Sequence, residues 1–502
     1  MQKLALFASF AALAAIACTD DPKTSPPAVV DAGAAAATIG APVVWTPCQE
    51  TFECGSVVVP VDYQSPAGKT LELRLLRAPA KKPAERAGTV VVNPGGPGIS
   101  MVGDLPKQYL QLRVGFTKAI DRFDIVAFDW RGTGQSAPAK CVDDAFLDRM
   151  RATDLTLRGD GAAAAADALR QEFAAGCTKG ADAALLASMH VENAARDLDV
   201  IRQALGEEKL NYLGFSYGTW LGAVYTALFP DRARAFALDA PVLLPENLNA
   251  QLARRGASRD AGLDRFFSAC EKNAACAFHG GKPKADIAAA FAALALKVRT
   301  APGISGAGRV LSPVDFEGTV ADGLRTGNWL TFAATLAALE GGDASTALSG
   351  ADLALGRSAS GSYDGRFEGL LTVSCVDLPF ADGTTVDSLR ANVLASPSPS
   401  AAGALAPFPL CVGWPFATPR PRPSLAGAKA APPALIIAGR HDPITQFDDG
   451  AAMVSALGNG SHLVIYEGDG HAAALHSKCV RDLVTDFLLD PKPPSASTCA
   501  AE

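Results

Sequence analysis

Apolar residues at Ala194, Leu198, Ile201 and Leu205, with charges between them, have helical spacing and predict a helix over 191–206. The short apolar run 210–213 predicts a strand, and the apolar, small-residue stretch 219–229, stopped by Pro230, predicts a second helix. Further buried-type strands are predicted at 89–93, 124–129, 235–239, 434–439 and 462–466. Two β-rich runs, 55–61 and 70–76, flank Gln64-Ser65-Pro66-Ala67-Gly68, a hairpin signal. Helical stretches separate many of these runs, so the predicted class is α/β: a mostly parallel sheet with helices on both faces.

The rhythm changes at 242–424. That interval is Ala-rich and helical, with apolar periodicity at 288–298 and 329–339, and it ends near Pro419-Arg420-Pro421-Arg422-Pro423. The strand at 434–439 then resumes the earlier pattern, so the interval is expected to be an inserted cap or lid. The expected core comprises 43–241 and 425–490, followed by a C-terminal tail over 491–502.

Residues 1–18 change the picture of where the chain goes. Lys3, the apolar 4–16 and the closing Ala15-Ile16-Ala17-Cys18 have the form of an export signal, too short for a comfortable membrane span. Small residues before Cys18 resemble a bacterial lipoprotein processing site, with ordinary signal cleavage as the alternative. The Ala-, Pro- and Asp-rich 19–42 is expected to be a disordered tether. These features predict an exported bacterial protein, a periplasmic or cell-surface lipoprotein anchored through Cys18 or else secreted. The chain has 11 cysteines, and those other than Cys18 are even in number, which suits an oxidising compartment. Their clustering suggests Cys48 with Cys54, Cys141 with Cys177, Cys270 with Cys276, Cys375 with Cys411, and Cys479 with Cys499. No C-x-x-C pair is present, and neither a metal nor an organic cofactor is called for. The net charge of -7 arises from interspersed acids and bases, leaving no basic stripe for nucleic acid.

The candidate chemistry centres on Gly214-Phe215-Ser216-Tyr217-Gly218, which lies where a strand should turn into a helix. Glycines two before and two after the serine allow the strained turn of a nucleophile elbow, and the helix start favours developing negative charge. Asp442 follows the strand 434–439, and His471 sits in a glycine-flexed loop after the strand 462–466. The order Ser216, Asp442, His471 is that of an α/β-hydrolase triad, with Asp442 orienting His471 and His471 taking the Ser216 proton. Among the 6 histidines, His190, His279, His441, His462 and His476 are read as surface or structural. Asp448, Asp449 and Asp469 are weaker rivals to Asp442. The turn Asn93-Pro94-Gly95-Gly96-Pro97-Gly98 follows a strand, so the Gly96 and Tyr217 amides form the candidate oxyanion pair.

Gly95-Gly96-Pro97-Gly98-Ile99-Ser100, Asp129-Trp130-Arg131-Gly132-Thr133-Gly134-Gln135-Ser136 and Gly214 to Thr219 together resemble the motifs of the prolyl iminopeptidase and tripeptidyl aminopeptidase group of α/β-hydrolases. Trp45-Thr46-Pro47-Cys48, Val59-Pro60-Val61-Asp62-Tyr63 and Ser374-Cys375-Val376-Asp377 are similar to the tripeptidyl branch. The sequence departs from prolyl iminopeptidases at Asn93, where histidine is frequent. The resemblance implies an α/β-hydrolase fold and an exported serine exopeptidase acting on free N-termini of peptides. It also implies an acidic group for the substrate ammonium, for which Asp377 and Glu246 are candidates. An acyl ester is the alternative substrate, because carboxylesterases use the same triad. Asp129 and Arg131 are expected to brace loops around the site.

Overall fold

The structure, a computed structural model, describes residues 29, 38–49, 51–106, 115–245, 247–300, 303–398, 400–417 and 420–502. The strands are β1 (Thr46–Cys48), β2 (Phe52–Pro60), β3 (Thr70–Ala78), β4 (Gly88–Asn93), β5 (Phe123–Phe128), β6 (Leu210–Phe215), β7 (Ala233–Asp239), β8 (Ser305–Gly306), β9 (Arg309–Val310), β10 (Leu435–His441), β11 (His462–Asp469) and β12 (Thr498–Cys499). All except β8 and β9 join one 10-stranded sheet in the order β1-β2-β3-β5-β4-β6-β7-β10-β11-β12. Pairing is antiparallel from β1 through β5 by way of β3, and parallel from β5 and β4 onward. The predicted hairpin is present, with Pro60 opposite Thr70.

Alternation along the central strands divides the core between the two faces of the sheet. Val91, Val126 and Tyr212 join one apolar cluster, whereas Val90, Val92, Ile125, Ala127 and Leu213 join another. Helices cover both faces, among them Val191–Ala204 and Tyr217–Leu228 against the first cluster and Lys478–Leu489 against the second. His190 caps Val191–Ala204, its ring nitrogen accepting from the Asn193 amide at 3.4 Å. Burial holds that imidazole neutral, with a pKa pushed down to about 3, so an acceptor nitrogen is always available.

One ion pair is sealed inside this framework. Arg131 and Asp197 both have almost no exposure; Arg131 Nε donates to Asp197 Oδ2 at 2.8 Å and Nη2 to Oδ1 at 2.5 Å. The remaining guanidinium protons reach Val61 O (2.8 Å), Pro60 O (3.2 Å) and Ser188 Oγ (3.1 Å), while Tyr63 Oη donates to Asp197 at 2.7 Å. Arg131 therefore braces the end of β2 and the helix Val191–Ala204.

All five expected disulfides form: Cys48–Cys54, Cys141–Cys177, Cys270–Cys276, Cys375–Cys411 and Cys479–Cys499. Such bonds form and persist in oxidising compartments. No helix among the described residues is long and apolar enough to cross a membrane. Cys18, with the rest of the expected signal, lies outside the described residues.

The stretch between β7 and β10 is helical, as the periodicity predicts, but it packs as two units. Residues from Leu263 to Leu348 close around their own apolar cluster. Residues from Phe367 to Ala428 merge instead with the core beneath the sheet. There Trp414 stacks on Phe173 with centroids 5.4 Å apart, and Glu368 Oε1 accepts from the Cys141 amide at 2.8 Å. The final residues are docked: β12 pairs with β11, and Glu502 accepts from the Lys478 and Cys479 amides at 2.9 and 3.0 Å, capping the helix Lys478–Leu489.

Candidate active site

Strand β6 ends at Phe215 and the helix Tyr217–Leu228 begins two residues later, leaving Ser216 at the turn with φ 52° and ψ -124°. A non-glycine residue held there carries backbone strain of about 1–3 kcal/mol. The helix starts before the expected Thr219, because Gly218 fits within its first turn. Crowding explains the two flanking glycines: a Cβ on Gly214 would lie 2.6 Å from Gly218 O, and one on Gly218 would lie 2.7 Å from Asn93 O. The Ser216 amide donates to Asp239 O at 3.0 Å, and Thr219 Oγ1 donates to Ser216 O at 2.6 Å, which fixes the turn on both sides.

Asp442 follows the last residue of β10, and His471 follows β11 after Gly470. Asp442 Oδ2 lies 2.8 Å from His471 Nδ1 and accepts from Thr445 Oγ1 at 3.0 Å. Its Oδ1 accepts from the Ile444 and Thr445 amides at 2.8 and 3.0 Å. The Asp442 side chain is only 2% exposed and that of His471 is 11% exposed, so the pair is shielded while the ring keeps an open edge. Bonding to the carboxylate assigns the proton to Nδ1 and leaves Nε2 as the acceptor.

The histidine loop is held from three sides. His471 N donates to Arg325 O, in the stretch between β7 and β10, at 2.8 Å, and His476 Nε2 lies 3.1 Å from His471 O. Burial lowers the His476 pKa, which keeps it neutral and able to donate from that nitrogen. Gly470 has φ 99°, and a Cβ there would come within 2.8 Å of His476 Nε2. Asp239 provides the third restraint: its carboxylate accepts from the Ala473 and Ala474 amides at 3.0 and 2.8 Å. The same residue receives the Ser216 amide on its carbonyl, so it joins the serine turn to the histidine loop. Burial pushes its pKa up to about 7. Sequence reading missed Asp239, although its position at the end of β7 was the available signal; Thr445 and the His476 contact were also missed.

The glycine-rich turn after β4 packs directly on the serine turn. A Cβ on Gly95 would lie 2.9 Å from both Ser216 Cβ and Tyr217 N. Gly95 N is occupied by Asn93 Oδ1 at 2.9 Å, whereas the Gly96 and Tyr217 amides have no hydrogen-bond partner among the described residues. Asp129 braces this turn, accepting from Ser100 Oγ (2.9 Å), Val102 N (2.9 Å) and Gln135 N (2.7 Å). Its complete burial raises its pKa to about 6.

Asp377 ends the helix Arg366–Asp377 and is half-buried, accepting from Tyr217 Oη and, at 3.1 Å, from Val191 N. It borders a cavity of about 300 Å³ lined also by Trp220, Glu192, Asp382 and Arg420. Glu246 lies outside the described residues. The rival acids have other partners: Asp449 accepts from Arg254, and Asp469 from Arg265. His441 lies among Arg265, Arg440, Glu467 and Asp469, and burial lowers its pKa.

Fold and geometry together define a hydrolase of the α/β class, and residues 88–476 match the family described as alpha/beta hydrolase fold, so the chain belongs to that family. It is 30% identical to the serine protease Hip1 of Mycobacterium tuberculosis over 92% of this chain and 91% of that protein. It is likewise 30% identical to the tripeptidyl aminopeptidase of Streptomyces lividans, covering 93% of this chain and 88% of that one. Carboxylesterase B of Mycobacterium tuberculosis is 31% identical, with 92% of each chain covered.

Proposed function

We propose that this protein is an exported serine peptidase that releases short peptides, of tripeptidyl or prolyl type, from free N-termini through an acyl-enzyme on Ser216. The observation that carries the reading is the shielded Asp442–His471 contact of 2.8 Å beside a chain turn that holds Ser216 at φ 52°. His471 Nε2 takes the proton as Ser216 Oγ attacks the scissile carbonyl, and Asp442 stabilises the imidazolium. The oxyanion meets the amides of Gly96 and Tyr217 at the start of a 12-residue helix, whose dipole favours the developing charge. The imidazolium then protonates the leaving amine. Water, deprotonated by the same histidine, releases the acyl peptide and restores the Ser216 hydroxyl.

The relatives named as a serine protease and a tripeptidyl aminopeptidase support the peptidase reading. The relative named carboxylesterase B gives a reason to keep a carboxylesterase as the second reading. Residues 242–424 act as the cap in this proposal, and Asp377 and Glu246 are its candidates for the substrate ammonium. Residues 1–18 serve as the signal and 19–42 as the tether, with a lipid on Cys18 holding the core at the cell surface or in the periplasm.

The test compares the protein with Ser216→Ala on unblocked and N-blocked di- and tripeptide amides and on short acyl esters. Preference for unblocked peptides, lost in Ser216→Ala, is expected. Turnover of esters without peptide cleavage would transfer the assignment to the esterase.

A further inference from the structure

The helix Leu248–Glu271 turns one face toward the loop that carries Asp442. A Cβ on Gly262 would lie 3.0 Å from the Pro443 ring, and Gln446 Nε2 donates to Ser258 Oγ at 3.4 Å. Arg255 stands two turns before Gly262 on the same face. Its guanidinium carbon lies 5.7 Å from the centroid of Phe408, and its Nε is buried without a hydrogen-bond partner. Among the described residues, the charged or polar group that acts on it is the hydroxyl of Tyr217, the residue directly after Ser216.

Neighbouring arginines show what is missing. Arg254 pairs with Asp449, Arg265 with Asp469, and Arg259 with Glu317 at 2.8 Å. Arg420, also close to Tyr217, donates to Val376 O at 3.0 Å and has Asp377 and Glu192 as countercharges. Arg255 has no carboxylate partner among the described residues. Removing a guanidinium from water without a partner is unfavourable by several kcal/mol, and an anion arriving with a ligand cancels that penalty. The planar fork of an arginine matches the two oxygens of a carboxylate better than it matches a neutral carbonyl.

We infer that Arg255 is the docking point for a carboxylate on the substrate, on the side of the site where the hydroxyl of Tyr217 lies. The inference rests on the assignment of Ser216 above. It narrows the substrate class to peptides or esters that bring an anionic group to the cap side of the site. An acidic side chain and the terminal carboxylate of a short peptide share this chemistry.

The experiment uses two matched series of unblocked peptides, one exchanging Glu for Gln and one exchanging a free terminal carboxylate for its amide. In the full-length protein, one series is expected to favour the carboxylate roughly tenfold or more in kcat/KM, which also identifies the source. Arg255→Gln should bring that ratio to about one, and Arg255→Lys should restore part of it. Because the native cation is uncompensated, the melting temperature of Arg255→Gln should equal or exceed that of the parent. Equal rates for both members of each pair, or a preference that survives Arg255→Gln, overturns the inference. Labelling of Ser216 by a neutral fluorophosphonate reads the serine chemistry separately. If no label is taken up, the hydrolase reading fails, and affinity of the same peptides for Ser216→Ala with and without Arg255→Gln decides the carboxylate site alone.

Discussion

The two halves of the stretch between β7 and β10 differ in what they lean on. Residues from Leu263 to Leu348 bury their apolar side chains in one another and meet the site through a few polar threads: Arg265 on Asp469 and the Arg325 carbonyl on His471 N. Residues from Phe367 to Ala428 share the core beneath the sheet, are closed on themselves by Cys375–Cys411, and are tied to the core by Glu368 on the Cys141 amide. The first half is a module resting on the histidine loop; the second is part of the wall of the site. Sequence alternation alone does not separate them, because both halves are Ala-rich helices.

The largest expected effect lies where the first half touches the histidine loop. His471→Ala should reduce kcat by roughly 10⁴-fold or more, whereas His441→Ala, under the same module, should stay within about threefold. Comparable losses in steady-state assays would mean that the module, not the Asp442 contact, selects the working histidine.

Two joints test the halves directly. Gly98 has φ 85°, and a Cβ there would lie 2.3 Å from the Gly369 carbonyl carbon in the second half. Gly98→Ala should therefore lower stability by about 2–4 kcal/mol in denaturant unfolding. At Gly262, in the helix Leu248–Glu271 that leads into the first half and meets Pro443 at 3.0 Å, alanine gains about 0.5–1 kcal/mol of helix propensity against a contact that must give slightly. Gly262→Ala should stay within about 1 kcal/mol of the parent. Equal effects at both joints would erase the distinction.

Asp239→Asn addresses the loop from the sheet side. An amide cannot accept from both the Ala473 and Ala474 amides as the carboxylate does, so kcat should fall roughly tenfold to a hundredfold with a small change in KM. The smallest effect is its pH dependence. Asp239 is pushed up to about 7 in the folded protein, so between its unfolded value and that pH the folded state binds more protons than the unfolded state. Its contribution to stability thus declines as pH rises through this window. The melting-temperature deficit of Asp239→Asn should be smaller at pH 8 than at pH 5; a deficit that grows with pH would contradict the assignment.

Much of the candidate site could be read beforehand because it sits at strand ends with strong period-two or continuous apolar runs. Ser216, Asp442 and His471 each follow such a run, and the structure brings Asp442 and His471 into contact as expected. The five cysteine pairs were legible from clustering. Other elements were hidden for physical reasons. The strands β1 and β12 have 3 and 2 residues, too few for any period to register. The helix Ala162–Gly180 opens on five alanines, which blur the contrast between its buried and exposed faces. Asp239 looked like an ordinary strand residue because its partners are backbone amides 234 and 235 positions away. Arg255 was illegible for the opposite reason: an absent countercharge leaves no mark in a linear sequence.

The Arg131–Asp197 pair works as an assembly check. Its donors and acceptors come from the end of β2, the loop after β5, Ser188 and the helix Val191–Ala204, with Arg131 reaching partners up to 71 positions away in the chain. A hairpin that slipped by one residue would present the wrong carbonyls and strand a full charge among Val61, Leu73 and Trp130. Such a near-miss carries a penalty of about 3–5 kcal/mol, comparable to a large fraction of a domain's stability, so misthreaded forms remain open to correction while the right one locks.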